Sequence, residues 1–186
     1  MGGRLTPYPG RGFESEQGSS LVEFALALTI LLTLMFGIID FSRAMYAYHF
    51  ISNAAREASR YAGVRGSTFA TACTNAPPVA YGCKAGTADI MAYVQSLVAP
   101  GIYESGGTAN ASCATPSVGQ LNVCTTWPGT APAGAAGGCN TSNGNDSPGC
   151  LVVVEVLYTY GFTLPFVSAN ISKLTMTSTS ETVIQQ

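Results

Sequence analysis

One carboxylate lies inside a long apolar segment near the N-terminus. The run from Leu21 to Ile39 carries Glu23 as its only charged residue. An acid placed near the end of a membrane-spanning run costs about 2.5 kcal/mol or more unless a cation pairs with it, and such acids are commonly functional. Glu23 is therefore the first candidate functional residue. The alternative is a side chain that merely snorkels to interfacial water.

Six cysteines are the second group with potential chemistry, and all of them follow residue 72. None belongs to a CxxC pair and the chain has one histidine, so zinc and thioredoxin-like sites are poorly supported. An even number in a loop-rich region favours disulfides and an oxidising compartment over buried reduced thiols. Among the possible pairings, the one between sequence neighbours would join Cys73 to Cys83, Cys113 to Cys124 and Cys139 to Cys150.

The composition excludes several classes of function. Charged residues make up 10% of the 186 residues, against about 25% in typical soluble domains, and the net charge is −2. This balance argues against a nucleic-acid-binding protein. No nucleophile–base pair or metal-ligand cluster is evident, so we expect neither an enzyme nor a cofactor. The loop after Cys139 offers oxygen atoms from Asn143, Asn145 and Asp146, but one carboxylate is too few for a calcium site, and we expect no metal.

The apolar run has the length of a membrane-spanning helix. Its 19 residues correspond to about 29 Å of helix, close to the hydrocarbon thickness of about 30 Å. A buried core helix would need surrounding apolar chain that residues 66–150 do not supply. A signal peptide would need basic residues directly before the run, where Glu14 and Glu16 lie instead. We therefore predict one span over about 21–39, with the cysteine-containing part outside the cytoplasm and the N-terminus inside.

The helical pattern continues beyond the span. Apolar residues recur at three- and four-residue spacing and predict an amphipathic helix over 40–62. Asp40 and Arg43 are one turn apart and are interpreted either as an intrahelical pair or as two solvated charges. The predicted apolar stripe consists of Phe41, Ala44, Met45, Tyr48, Ile51, Ala55, Ala58 and Ala62.

Small residues on the same segment could let another helix approach closely. Ala54, Ala55 and Ala58 form this face, which fits packing between subunits. The alternative is simply that alanine is a good helix former.

The remaining chain predicts a small α+β unit. Thr87–Pro100 has a helical apolar stripe with Thr87 as a candidate N-cap. The β-branched and aromatic run Leu151–Tyr160 predicts a strand, Ile171–Ile184 a second strand antiparallel to it, and Gln120–Trp127 a third. The expected fold is therefore a long helix, a short helix and a small antiparallel sheet, with cysteine-stapled loops between them.

The residues around Glu23 are similar to the cleavage pattern of type IV prepilins. Gly18 is followed by four residues, then Glu23, Phe24 and an unbroken apolar run. In that family a membrane aspartyl peptidase cuts after the glycine, and the glutamate faces the new N-terminal amine of a neighbouring subunit. The resemblance implies cleavage between Gly18 and Ser19, pairing of Glu23 with the ammonium of Ser19, and packing of Phe24 against other helices.

A longer stretch, about residues 17–65, resembles the TadE-like family, minor pseudopilins of the tight-adherence (Flp) pilus. The resemblance rests on the glycine-to-glutamate opening, the helix exit Gly37–Phe41 followed by Arg43-Ala44, and the small-residue segment Asn53–Ala58. The later run LVVVEVLYTYGFTLPF is similar to the family's C-terminal strand and turn. Thr29 and Ser42 depart from the proline and glycine usual at those places, which leaves the helix curvature open.

The resemblance implies a pilin-like organisation. Residues 1–18 would be a leader, 19–65 the long helix and 66–186 an extracytoplasmic disulfide-containing domain. The expected partners are the bacterial inner membrane, a prepilin peptidase, other pilin or pseudopilin subunits and the pilus assembly platform. The expected function is that of a minor pseudopilin. The alternative is an adhesin or binding module that stays anchored in the membrane.

Overall fold

The predicted α+β architecture is confirmed by the computed structural model, which describes residues 16–69, 83–98, 102, 113–134, 138–163 and 172–185. Among the described residues, the two longer helices precede the strands, and a short 3-10 helix over Thr141–Asn143 lies between the first two strands. The main elements are α1 (Glu16–Gly63), α2 (Thr87–Ser96), β1 (Leu121–Thr126), β2 (Leu151–Gly161) and β3 (Lys173–Val183).

The chain divides into two units between Ile39 and Asp40. The first unit contains the apolar part of α1, where every side chain from residue 18 to residue 36 is exposed. Thr29 donates its hydroxyl to the carbonyl of Ala25 at 2.8 Å. Helical structure therefore runs uninterrupted through this position.

The second unit begins at Asp40, so the later part of α1 belongs to it, whereas the sequence predicts that the extracytoplasmic domain starts at residue 66. Within the described residues its sheet has three antiparallel strands in the order β1-β2-β3. Val156 of β2 lies opposite Val123 on one side and Ser178 on the other. The central strand is the most apolar, which is why β2 is the clearest strand in the sequence.

The later part of α1 packs against the sheet through small residues. Its Ser59 hydroxyl lies 2.9 Å from that of Ser180 in β3, and the Gly63 carbonyl accepts the Gln185 N–H at 2.8 Å. A Cβ at Gly63 would lie 2.8 Å from Thr182 Cγ2, so glycine permits this close approach. The buried side chains of this part of the helix are those of Asp40, Ala44, Ala47, Ile51, Ala54, Ala55, Ala58, Ser59, Tyr61 and Ala62.

The predicted apolar stripe of α1 is therefore partly wrong. Phe41, Met45 and Tyr48 are 65%, 41% and 51% exposed, while Ala47 and Ala54, outside that stripe, are buried. Small side chains permit the close approach to the sheet at Ser59 and Gly63, so packing favours the alanine side, although the larger Ile51 and Tyr61 are buried as well.

Thr87, predicted to be the N-cap of α2, is instead the first residue of the helix. Gly86 is the N-cap in place of Thr87, and the Asp89 carboxylate accepts the Gly86 N–H at 3.1 Å. Its buried face carries Ile90, Met91 and Val94. The helix ends at Ser96, before the predicted end at Pro100, which lies outside the described residues.

The disulfide prediction is confirmed for the two pairs that the structure describes completely. Cys113 is bonded to Cys124 and Cys139 to Cys150, each pair separated by 11 residues. Cys83 is also disulfide-bonded, and Cys73 lies outside the described residues. None of the described cysteines is free.

Thiol labelling checks the compartment that these bonds imply. We expect no cysteine of the membrane-extracted protein to react with an alkylating reagent before reduction, and all six to react after it, because disulfides persist only in oxidising compartments. Intact mass spectrometry counts the added groups. Six labelled cysteines without reduction would place this part of the chain in the cytoplasm.

Candidate functional site

The residues of the predicted cleavage and pairing site lie on the first turns of α1. Ser19 and Glu23 are four residues apart on the helix and so share one face, one turn apart. Gly18 lies within the first turn, where it lowers helix stability by about 1 kcal/mol relative to alanine. The first turn is thus a weak part of the helix.

The described residues leave the apolar part of this helix uncovered. Among the described residues, α1 is the one helix long and apolar enough to cross a membrane, and none of its most apolar 18-residue window is buried. Phe24, predicted to pack against other helices, is 67% exposed, and Glu23 is exposed as well. An apolar surface of this size requires lipid or other helices around it. The segment is consistent with a single-pass membrane anchor.

A buried acid lies where the second unit begins, and its role was not apparent from the sequence. Asp40 is 2% exposed and accepts hydrogen bonds from two parts of Thr163: the N–H at 2.9 Å and the hydroxyl at 2.7 Å. The Tyr160 hydroxyl donates to the Asp40 main-chain carbonyl at 3.3 Å and lies 3.5 Å from its carboxylate. These donors replace the water that a buried carboxylate loses.

The arrangement corrects both interpretations of Asp40 and Arg43. Asp40 is neither solvated nor paired with Arg43 in the part of the chain that the structure describes. Its partners come from the end of β2 and the residues just after it, more than 100 positions away in sequence. An isolated acid at the exit of an apolar run was the only signal available, and that signal does not identify the partners.

The contacts among Asp40, Tyr160 and Thr163, here called the Asp40 cluster, change the pKa of Tyr160. Burial, and next the negative charge of Asp40, raise the pKa of Tyr160 above its ordinary value of 10.0, and the positive charge of Arg43 opposes them. The hydroxyl therefore stays protonated, as a donor to Asp40, across the physiological range.

This shift predicts a loss of stability at alkaline pH. Because the folded pKa lies above the unfolded value, the contribution of Tyr160 is fully present below about pH 10 and is lost as the pH rises through the folded value. Urea unfolding of the full chain from about pH 8 to 11 should show a steeper alkaline decline for the native protein than for Tyr160→Phe. Identical slopes would contradict the coupling.

Removing the Asp40 carboxylate is expected to destabilise the second unit. Asp40→Ala removes the acceptor of the two Thr163 donors and leaves the Tyr160 hydroxyl with the main-chain carbonyl alone, and we expect the free energy of unfolding to fall by about 2 kcal/mol. The control is Glu57→Ala on the same helix, an exposed acid 3.5 Å from Arg60, whose loss should cost less than about 0.5 kcal/mol. An equal loss of unfolding free energy in the two variants would show that the hydrogen bonds to Asp40 do not stabilise the second unit.

The small-residue face predicted for subunit packing has a partner within the chain. Ala54, Ala55 and Ala58 are 2%, 0% and 0% exposed in the core of the second unit. The close approach that they permit is used by the chain's own fold.

Two groups of side chains bear on metal binding. Asp146, the acid of the suggested calcium loop, forms an ion pair with Lys84 at 2.6 Å, so its carboxylate already has a cation. Cys113, Cys124 and Glu155 lie together, but the two sulfurs are bonded to each other and offer no thiolate.

The comparisons with known proteins bear on α1. Residues 18–60 match the family model described as TadE-like protein. The match includes Gly18, Ser19, Glu23 and Asp40, and it ends before α2 and the sheet. No curated protein and no solved structure matches the chain. The resemblance predicted from the sequence is thus confirmed for residues 18–60, and the match is consistent with a member of the TadE-like family.

Proposed function

We propose that the chain is a minor pseudopilin, a structural subunit without catalytic activity in a Tad (Flp) pilus. The observation that carries the proposal is the TadE-like match over residues 18–60, which begins at Gly18 on an apolar helix that the described residues leave uncovered. TadE-like proteins are associated with the Tad pilus, and a subunit that passes from bilayer to filament needs such a helix.

Processing is the first step of the proposed mechanism. A prepilin peptidase removes residues 1–18 and leaves Ser19 as the N-terminus. Glycine before the cut suits this step because a residue without Cβ lets the catalytic carboxylates approach the backbone closely. Gly18 has nothing within 4 Å of its Cβ position in the described structure, so the site is open to an enzyme.

Charge pairing is the second step. Cleavage creates an ammonium on Ser19 at the start of an apolar helix, one turn from Glu23. A cation and a carboxylate attract each other strongly where the dielectric constant is low, and each lowers the cost of keeping the other in an apolar setting. Pairing between neighbouring subunits would fix their relative position along the filament.

The disulfides support the proposed topology. Bonded cysteines in the second unit support an oxidising compartment for this part of the chain. In the proposed topology Asp40–Gln186 lies outside the cytoplasm and the N-terminus inside it. The protein would then reside in the bacterial inner membrane before it enters a pilus, and its partners would be the peptidase, other pilin subunits and the assembly platform.

N-terminal sequencing with intact mass measurement tests the proposal. Protein from cells that contain the cognate peptidase should begin at Ser19, and protein from peptidase-deficient cells should retain residues 1–18. Retention in both strains would overturn the proposal and favour the permanently anchored adhesin or binding module.

A further inference from the structure

A cleft of about 410 Å³ lies within the second unit. It is within the size range of small-molecule sites. Three separate segments of the chain form it, and none of them has a role in the proposed pilus function. The lining residues are Lys84, Ala85, Gly86, Thr87, Trp127, Asn145 and Asp146.

Each wall of the cleft is held in place. Cys83, next to Lys84, is disulfide-bonded, and the Ala85 N–H donates to the Arg65 carbonyl at 3.1 Å. Trp127 directly follows β1 and packs against the core. The turn with Asn145 lies in the loop closed by the Cys139–Cys150 bond, so the cleft is largely preformed.

The third wall is fixed by contacts on both sides of the turn. The Asp146 carbonyl accepts the Ser67 N–H at 3.1 Å. The Asn145 side chain lies against Gly129, where a Cβ would be 2.7 Å from Asn145 Oδ1, and the φ of +68° also favours glycine there. The cysteine loops thus bring distant polar residues to the chain's only tryptophan.

The chemistry of the lining is polar, aromatic and locally neutral. Lys84 Nζ and Asp146 Oδ2 are 2.6 Å apart, so their charges cancel, while the ammonium still has donors and the carboxylate still has acceptor positions. Asn145 adds an amide that both donates and accepts. Trp127 supplies an indole surface that favours flat apolar faces.

We propose that this cleft binds a pyranose unit of a neutral glycan. A pyranose has an apolar C–H face that stacks on an indole and adjacent hydroxyls that both donate and accept, which matches the lining. A charged ligand would have to compete with the Lys84–Asp146 pair, and an aliphatic ligand would leave the polar groups without partners. The assignment does not depend on the pseudopilin proposal.

Tryptophan fluorescence gives a direct test, since the signal comes from one residue. The full chain in a sugar-free zwitterionic detergent is titrated with glucose, galactose, mannose, rhamnose and N-acetylglucosamine, and with glucuronic acid as the charged comparison. At least one neutral sugar should give a saturable change with a dissociation constant in the millimolar range. Absence of a saturable change with all neutral sugars, or a response to glucuronic acid alone, would overturn the proposal.

Variants locate the bound sugar. Saturation-transfer NMR, which does not need the indole, should show binding at least about tenfold weaker in Trp127→Ala and several-fold weaker in Asn145→Ala. Thr126→Ala is the matched control, since this exposed neighbour does not line the cleft, and it should bind as the native chain does. Thermal unfolding checks that each variant is folded. Unchanged binding in both Trp127→Ala and Asn145→Ala would place the sugar elsewhere and overturn the assignment.

Discussion

Replacing Gly18 by alanine is expected to slow removal of residues 1–18 about 100-fold in cells that contain the prepilin peptidase. The added Cβ lies at the bond to be cut, and a displacement of about 1 Å between substrate and catalytic groups costs roughly this factor. Alanine also favours helix by about 1 kcal/mol, which opposes opening of the first turn. A pulse-chase experiment that follows the mass of the protein measures the rate.

Gly37 provides the matched control for this experiment. It lies on the same helix, and a Cβ at either glycine meets nothing within 4 Å, so neither substitution disturbs the fold. Both changes raise helix propensity alike. Gly37→Ala should therefore be processed at the native rate, and equal slowing of the two variants would show that Gly18 is not at the cleavage site.

Local patterns were sufficient to predict most elements of the fold. The strand β2 was expected over Leu151–Tyr160 and covers Leu151–Gly161, because a β-branched run favours a strand whatever the rest of the chain contains. The sequence-neighbour disulfides were equally local, with 11 residues between partners in both described pairs. In each case the information lay within about a dozen residues.

The buried face of α1 needed information from elsewhere in the chain. Both the alanine side and the aromatic side have helical spacing, and only the sheet determines which side is covered. Asp40 is a clearer case, because its contacts also come from a distant part of the chain. Its partners, Tyr160 and Thr163, are 120 and 123 residues away in sequence, and no local pattern connects them.

The two candidate sites differ in how far the sequence alone identifies them, and the reason is again whether their residues are neighbours in the chain. Gly18, Ser19 and Glu23 form a contiguous motif, so their proposed chemistry could be inferred from the order of residues alone. The cleft at Trp127 brings together residues from three segments, and none of its polar residues belongs to a sequence motif that would indicate a site. The loop at Asp146 suggested only a weak calcium site, whereas the ion pair with Lys84 gives the acid a different role.

Replacing Glu23 by glutamine is expected to separate processing from assembly. The amide keeps the shape of the side chain and removes its charge, so membrane insertion should persist or improve slightly. Cleavage after Gly18 should be largely retained, because the peptidase acts on the backbone around the glycine. The proposed partner of Glu23, the ammonium of Ser19, exists only after that cut.

Assembly is the step that should fail. Without the carboxylate, the ammonium of Ser19 would enter an apolar interface unpaired, and loss of one partner of a buried ion pair costs about 3–5 kcal/mol. We therefore expect crosslinking to other pilus subunits to fall roughly 100-fold or more. Glu57→Gln is the matched control, since it makes the same change at an exposed acid of the same helix and should leave crosslinking unchanged.

The combination of measurements decides between the two interpretations of Glu23. A variant that is processed, inserted and unable to crosslink has lost an interaction that forms only after cleavage, as the pairing mechanism requires. A variant that is not processed would show that Glu23 acts earlier, in recognition by the peptidase. Normal processing together with normal crosslinking would leave Glu23 as an acid whose side chain snorkels to interfacial water, because a buried ammonium could not have lost its counter-charge without a measurable cost.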